Sequence, residues 1–425
     1  MKIQELFSKG GFLNSILTLF TGSTIAQAVP VLISPILTRI FSVEQFAVLA
    51  IFTVLCSLIG VIATARYEVA VTLPKRDSDA AHLVHVSVLI TIIVSAFSFI
   101  VFNFFANSIA LLFANPDLEE VLWLVPIFVF FYGIGQSFNY WLLRDKNFRS
   151  IAGGRVIQSL TNSGTALSLG VLKFPFNGLV IGNLFGQLAS TGFLFYLTKK
   201  FTTIRLNPFR FSKTGMREQA SAYSEFPRIN SLQSLIDMFQ STGVIFLLSS
   251  FFGSLVVGFY GFTIKILQAP LSLLGNSISL VFYKEASEIG TAGKELRELL
   301  RKTVLTLLVI AVPVFSVVFI WGPELFGFIF GDKWAQAGVY ASAITPWLFM
   351  NFLSAPVSQI AFILKKQKTV LLYSLIGNML ILISILSGIY IYEDVVIALY
   401  LVSAGQVLYY ILLLRYYWSI SISGK

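Results

Sequence analysis

Five charged side chains, Arg66, Glu68, Arg228, Asp237 and Lys265, stand inside or at the ends of stretches that are otherwise apolar. A guanidinium matches the geometry of a phosphate with parallel N–H donors. A carboxylate beside an ammonium can neutralise it, or can hold a coupling ion such as a proton or sodium. Three amides, Gln27, Gln233 and Gln268, occur on similar stretches and bring both donors and acceptors. The set suits holding a polar cargo, and no residue is assigned a catalytic role.

The surroundings set the cost of these groups. Hydrophobic residues make up 56% of the 425-residue chain and charged residues 12%, against roughly 25% charged in soluble domains. Apolar runs of about 20 residues recur, the length a helix needs to cross a hydrocarbon core of about 30 Å. Twelve spans are expected, at approximately 11–38, 44–73, 82–106, 119–143, 152–172, 176–197, 226–250, 255–283, 302–322, 338–364, 369–391 and 395–417. The fold class is therefore an all-α polytopic membrane protein, with the first span uncleaved. About 24 of the 30 Lys and Arg residues fall on one side of this arrangement, which the positive-inside rule assigns to the cytoplasm together with both termini. The net charge of +10 is mostly topology and calls for no nucleic-acid partner.

A charge at the centre of a spanning helix costs roughly 2.5–3.5 kcal/mol or more, so such residues face a bundle interior or an aqueous cavity. Helical spacing groups Asn14, Thr18, Thr21, Thr24, Gln27, Ser34 and Thr38 in span one, and Thr53, Ser57, Gly60, Thr64, Glu68 and Thr72 in span two. Spans seven and eight carry Asn230, Gln233, Ser234, Asp237 and Ser241, then Lys265, Gln268, Ser272, Gly275 and Ser279. Close helix packing accounts for the hydroxyls and glycines, whereas the charges and amides point to a central polar cavity. Asp237 and Lys265 fall at depths that agree within a few ångströms at about 1.5 Å per residue, so an ion pair and a coupling site both stay open. Arg66, two residues before Glu68, points to nearly the opposite face of a continuous helix. Snorkelling to the cytoplasmic rim is its alternative role.

Other motifs carry less. Asp77-Ser-Asp79 has the form of a metal-binding DxD sequence but lacks a sugar-nucleotide domain around it, and His82 and His85 lack further clustered ligands. GIGQSF at Gly133–Phe138 follows no strand. Cys56 is the single cysteine and has no disulfide partner within the chain. Neither a metal nor another cofactor is expected. With no ATP-binding motif, energy would come from ions, membrane potential or substrate gradients.

TRIFSVEQFAVLAIF around span two aligns weakly with SSFFGSLVVGFYGFT around span eight, pairing Phe41 with Phe252 and Ala47 with Gly258. This suggests two six-helix halves, residues 1–205 and 206–425, with binding near their interface. The stretches RYEVAVTLPKRDSDAAHL, SEFPRINSLQSLIDMFQ and FFGSLVVGFYGFTIKILQAPLSLLGNSISLVFYKEAS resemble the polysaccharide transporter branch, including the O-antigen (Wzx-type) flippases, of the multidrug, oligosaccharidyl-lipid and polysaccharide flippase superfamily. The resemblance implies a non-enzymatic flippase. It would move a polyprenyl-pyrophosphate-linked oligosaccharide from the cytoplasmic to the outer leaflet of a bacterial inner membrane by alternating access, among membrane lipids and beside polysaccharide polymerase machinery. Arg66 and Arg228 are then the expected pyrophosphate contacts. An ion-coupled drug exporter of the multidrug branch and a membrane glycosyl polymerase or ligase remain the alternatives.

Overall fold

The computed structural model describes residues 12–201, 212–291, 296–364 and 366–421. Among them are twelve helices of 20 to 38 residues, one for each expected span. They are α1 (Phe12–Ile40), α2 (Val43–Ile62), α3 (Asp77–Phe104), α4 (Leu124–Arg144), α5 (Phe148–Val171), α6 (Gly178–Phe201), α7 (Ser231–Phe252), α8 (Ser254–Thr291), α9 (Arg297–Phe330), α10 (Ala335–Ser354), α11 (Gln367–Ser387) and α12 (Val395–Ile420). No strand occurs among the described residues. By length and apolar composition alone, eight described helices can cross a membrane, or nine when Pro116–Leu122 and α4, bent by 49°, count as one span. The polar composition of α5, with Arg149, Arg155, Gln158 and Asn162, keeps it outside that set.

Local chemistry sets several helix ends. Ser42 and Gln45 form a reciprocal capping box before α2. Asn147 accepts from Ser150 N ahead of α5, and the Asp394 carboxylate accepts from Val396 N and Ile397 N ahead of α12. Trp321 leaves helical geometry two residues before Pro323, the kink expected where a proline removes a donor and crowds the preceding turn.

The chain divides into two compact units, residues 1–258 and 259–425, with the boundary inside α8. In the first unit α1 packs on α5, α5 on α6, α3 on α4, and α7 on α2. That last contact is why α7 joins the preceding helices. The approach of α8 to α2 is tight enough that a side chain at Gly258 would collide with the backbone oxygen of Val43. In the second unit α10 packs on both α9 and α12, and α11 packs on α12. Phe262, Phe326, Phe330 and Trp334 form an aromatic knot there, and the Thr263 hydroxyl donates to Ala337 O at 2.9 Å. Large apolar side chains such as Phe97, Phe104, Val309 and Phe328 stand exposed, which in water would be costly and in a lipid tail region is not.

Candidate functional site

Span two does not run on to residue 73 as one helix. After Ile62 the backbone turns, and Ala65 and Arg66 take φ of 49° and 61°, a left-handed conformation that costs a non-glycine residue roughly 1–2 kcal/mol. A short helix, Tyr67–Ala70, follows. The expected stripe from Thr53 to Thr72 is therefore broken, and the expectation that Arg66 and Glu68 face opposite ways fails with it. Arg66 Nη1 lies 3.5 Å from Glu68 Oε1. Its Nε and Nη2 donate to Ser234 Oγ on α7 at 3.0 and 2.5 Å, so the guanidinium is held within the protein.

Glu68 is nearly enclosed, its side chain 4% exposed against 31% for Arg66. Its other carboxylate oxygen accepts from the Thr64 hydroxyl. Glu68 lies beyond the end of α2, and burial pushes its carboxyl above the usual range, while the Thr64 hydroxyl and the Arg66 guanidinium oppose that shift. The result is a partly exposed cation fixed by a hydroxyl and a buried acid. These contacts offset the cost of the left-handed turn.

Arg228 is exposed in the π turn Phe226–Asn230 that leads into α7. It precedes Ser234, the hydroxyl partner of Arg66, by six residues, and its charge reaches Tyr67. Both arginines thus belong to the junction between the end of α2 and the start of α7. The side chains of Gln233 and Asp237 lie outside the described residues, as do those of Asn14 and Thr18. The suggested pairing of Asp237 with Lys265 therefore has no described geometry. Gln27 is half-buried on α1, and Lys265 is exposed on α8.

Hydroxyls in the α1 stripe turn to their own helix: Thr24 donates to Phe20 O, Ser34 to Val31 O and Thr38 to Pro35 O. Thr53 does the same on α2, to Leu49 O. These four hydroxyls are satisfied within their own helices by carbonyls one turn back. A further cation lies on α5, which begins four residues before the expected span 152–172. Arg155, seven residues past the first residue of α5, donates to Ser23 Oγ on α1 at 2.6 Å. Asn147, a strong cap type at the right place, was the sequence signal for that earlier start. Arg144, in contrast, is structural: it bonds Asp77 at 2.9 Å and the carbonyls of Val71, Pro74 and Lys75. That clamp occupies the first acid of the DxD sequence.

In the second unit a cavity of about 330 Å³ is lined by Gln268, Ser272, Gly275 and Ser279 of α8, Asn351 and Phe352 of α10, and Gln359 among others. Of the expected binding residues it contains Gln268. The described residues include no group of three or more His, Cys, Asp or Glu able to hold a metal.

Comparison with solved structures shows what fold these elements build. The chain is similar to the structure described as "Lipid II flippase MurJ, inward closed conformation", with TM-score 0.73 and 14% identity, covering 95% of this chain and 87% of that one. It is similar to a structure of the MATE multidrug transporter DinF-BH, with TM-score 0.65, 16% identity and 97% of each chain covered. A third is the MOP superfamily transporter from Pyrococcus furiosus described as having a reversed binding-pocket polarity, with TM-score 0.62, 13% identity, and 96% and 95% of the two chains covered. At such identities the likeness shows the fold, that of MOP superfamily transporters. A comparison with curated protein sequences gave no match. Residues 36–339 match the family model described as polysaccharide biosynthesis protein, and this multi-pass membrane protein belongs to that family.

Proposed function

We propose that the protein is a flippase carrying a polyprenyl-pyrophosphate-linked oligosaccharide from the cytoplasmic to the outer leaflet of a bacterial inner membrane, for surface polysaccharides of the O-antigen kind. The observation that carries this reading is the guanidinium of Arg66, partly exposed and oriented by Ser234 and Glu68, on a chain whose family is that of polysaccharide biosynthesis. A fixed guanidinium recognises pyrophosphate by charge and geometry, and Arg228 beside the same junction supplies a second positive charge. The two halves, 1–205 and 206–425, alternate access around the cargo, both termini are cytoplasmic, and no covalent chemistry is performed. The membrane potential favours outward movement of an anion by roughly 2.3 kcal/mol per charge per 100 mV when no cation accompanies it. A coupling proton or sodium ion at Asp237 and a neighbouring polymerase belong to the same proposal.

The test is flipping in reconstituted vesicles of a polyprenyl-pyrophosphate carrying N-acetylglucosamine, with transport of a cationic rhodamine dye measured in parallel. Protein-dependent movement of the lipid-linked sugar supports the reading. Dye transport without lipid movement would replace it with drug export.

A further inference from the structure

The cavity of the second unit differs in character from the arginine junction. None of its ten lining residues among the described ones is charged. Its polar atoms come from three amides, Gln268, Asn351 and Gln359, and from the hydroxyls of Ser272 and Ser279. Gln268, Ser272 and Ser279 recur at four and seven residues along α8, one face of that helix. Asn351 and Phe352 share the lining face of α10. Among the described residues no hydrogen bond engages the side chains of Gln268, Asn351 or Gln359, so their donors and acceptors are available to a guest. A Cβ placed on Gly275 would meet nothing within 4 Å, so the glycine leaves open space at the wall.

These features select a ligand class. Among the described lining residues an anion would find no cation, and a cation no carboxylate. A purely apolar guest would leave the amides unpaired at a cost. A neutral, polyhydroxylated molecule satisfies amides that donate and accept, while Leu271 and Ala355, the less buried apolar residues of the lining, offer apolar surface to its C–H groups. The volume falls within the roughly 300–1,000 Å³ of small-molecule sites, room for a short saccharide.

We propose that the cavity formed by Gln268, Ser272, Ser279, Asn351, Phe352 and Gln359 is a subsite for the neutral sugar portion of the cargo, separate from the groups that hold its pyrophosphate. The subsite rests on the flippase reading and divides recognition into a charged part and an uncharged part. It makes the protein discriminate loaded from empty carrier lipid.

The experiment measures binding of two probes to the full chain in nanodiscs: polyprenyl-pyrophosphate carrying N-acetylglucosamine, and the bare polyprenyl pyrophosphate. The unmodified protein should bind the sugar-bearing probe roughly tenfold more tightly. Asn351→Leu and Gln359→Leu should bring that ratio towards one while affinity for the bare carrier is kept, which also reports that the variants fold. Gly275→Leu, which fills the open wall and improves helix propensity, should do the same by steric exclusion. Arg66→Ala should weaken both probes alike and leave the ratio intact. A ratio unchanged in all three cavity variants, or a ratio of one in the unmodified protein, overturns the subsite while leaving the flippase reading standing. Failure to bind either probe removes both.

Discussion

Replacing Arg66 by Ala removes two hydrogen bonds to Ser234, at 3.0 and 2.5 Å, and an ion pair at 3.5 Å to Glu68. Removing one partner of a fully buried pair costs about 3–5 kcal/mol, but Arg66 is 31% exposed, and Glu68 keeps its Thr64 bond and can take up a proton. The expected loss of stability is therefore smaller, about 1–3 kcal/mol. Loss of the guanidinium as a phosphate ligand should slow flipping roughly tenfold to a hundredfold, from a charge-assisted bond worth about 1.5–3 kcal/mol. Arg66→Lys keeps the charge, cannot reproduce the fork on Ser234, and should retain part of the rate; Arg66→Glu should lose nearly all. The assay is flipping of the sugar-bearing polyprenyl pyrophosphate in vesicles, normalised to folded protein by size-exclusion recovery, with thermal unfolding measured separately. If Arg66→Ala flips at the parental rate per folded molecule, the pyrophosphate role is wrong and the residue only ties the end of α2 to α7.

Glu68 gives a pH prediction. Its carboxyl is raised above the ordinary value by burial, so as pH falls it becomes neutral earlier than a solvated glutamate. Losing that negative charge removes a competitor for Arg66, and affinity for bare polyprenyl pyrophosphate should rise over that interval. Glu68→Gln should show high affinity at both ends of it; an identical pH profile in the two proteins would exclude Glu68 as the titrating group. For Asp237 and Lys265, a neutralising pair predicts that Asp237→Asn impairs transport and that Lys265→Met partly restores it. A coupling role predicts no restoration of ion dependence, as transport with and without an ion gradient will show. Reporter fusions after Lys75, Arg149, Lys213, Lys302 and Lys368 should all give a cytoplasmic signal, and an outside signal at any one breaks the twelve-span topology.

The sequence by itself determined the membrane class and the helices, because both depend on properties carried within short windows. Runs of apolar residues long enough to cross a bilayer can be counted directly, and the caps at Ser42, Asn147 and Asp394 act over three residues or fewer. Gln268 was likewise legible as a polar residue on a helical face. Its companions Asn351 and Gln359 were not, since each is a single amide in an apolar run and acquires meaning only when α8 and α10 are brought side by side. The end of α2 shows the same limit more sharply. No glycine or proline marks the turn at Ala65 and Arg66, so a continuous helix was the expectation and opposed faces for Arg66 and Glu68 its consequence. Tertiary contact decided otherwise: Arg66 reaches Ser234, 168 residues away in sequence, and Glu68 becomes buried against Thr64. Local periodicity has no access to bonds of that separation, and these supply the energy that holds a left-handed turn where residue types alone favour a helix.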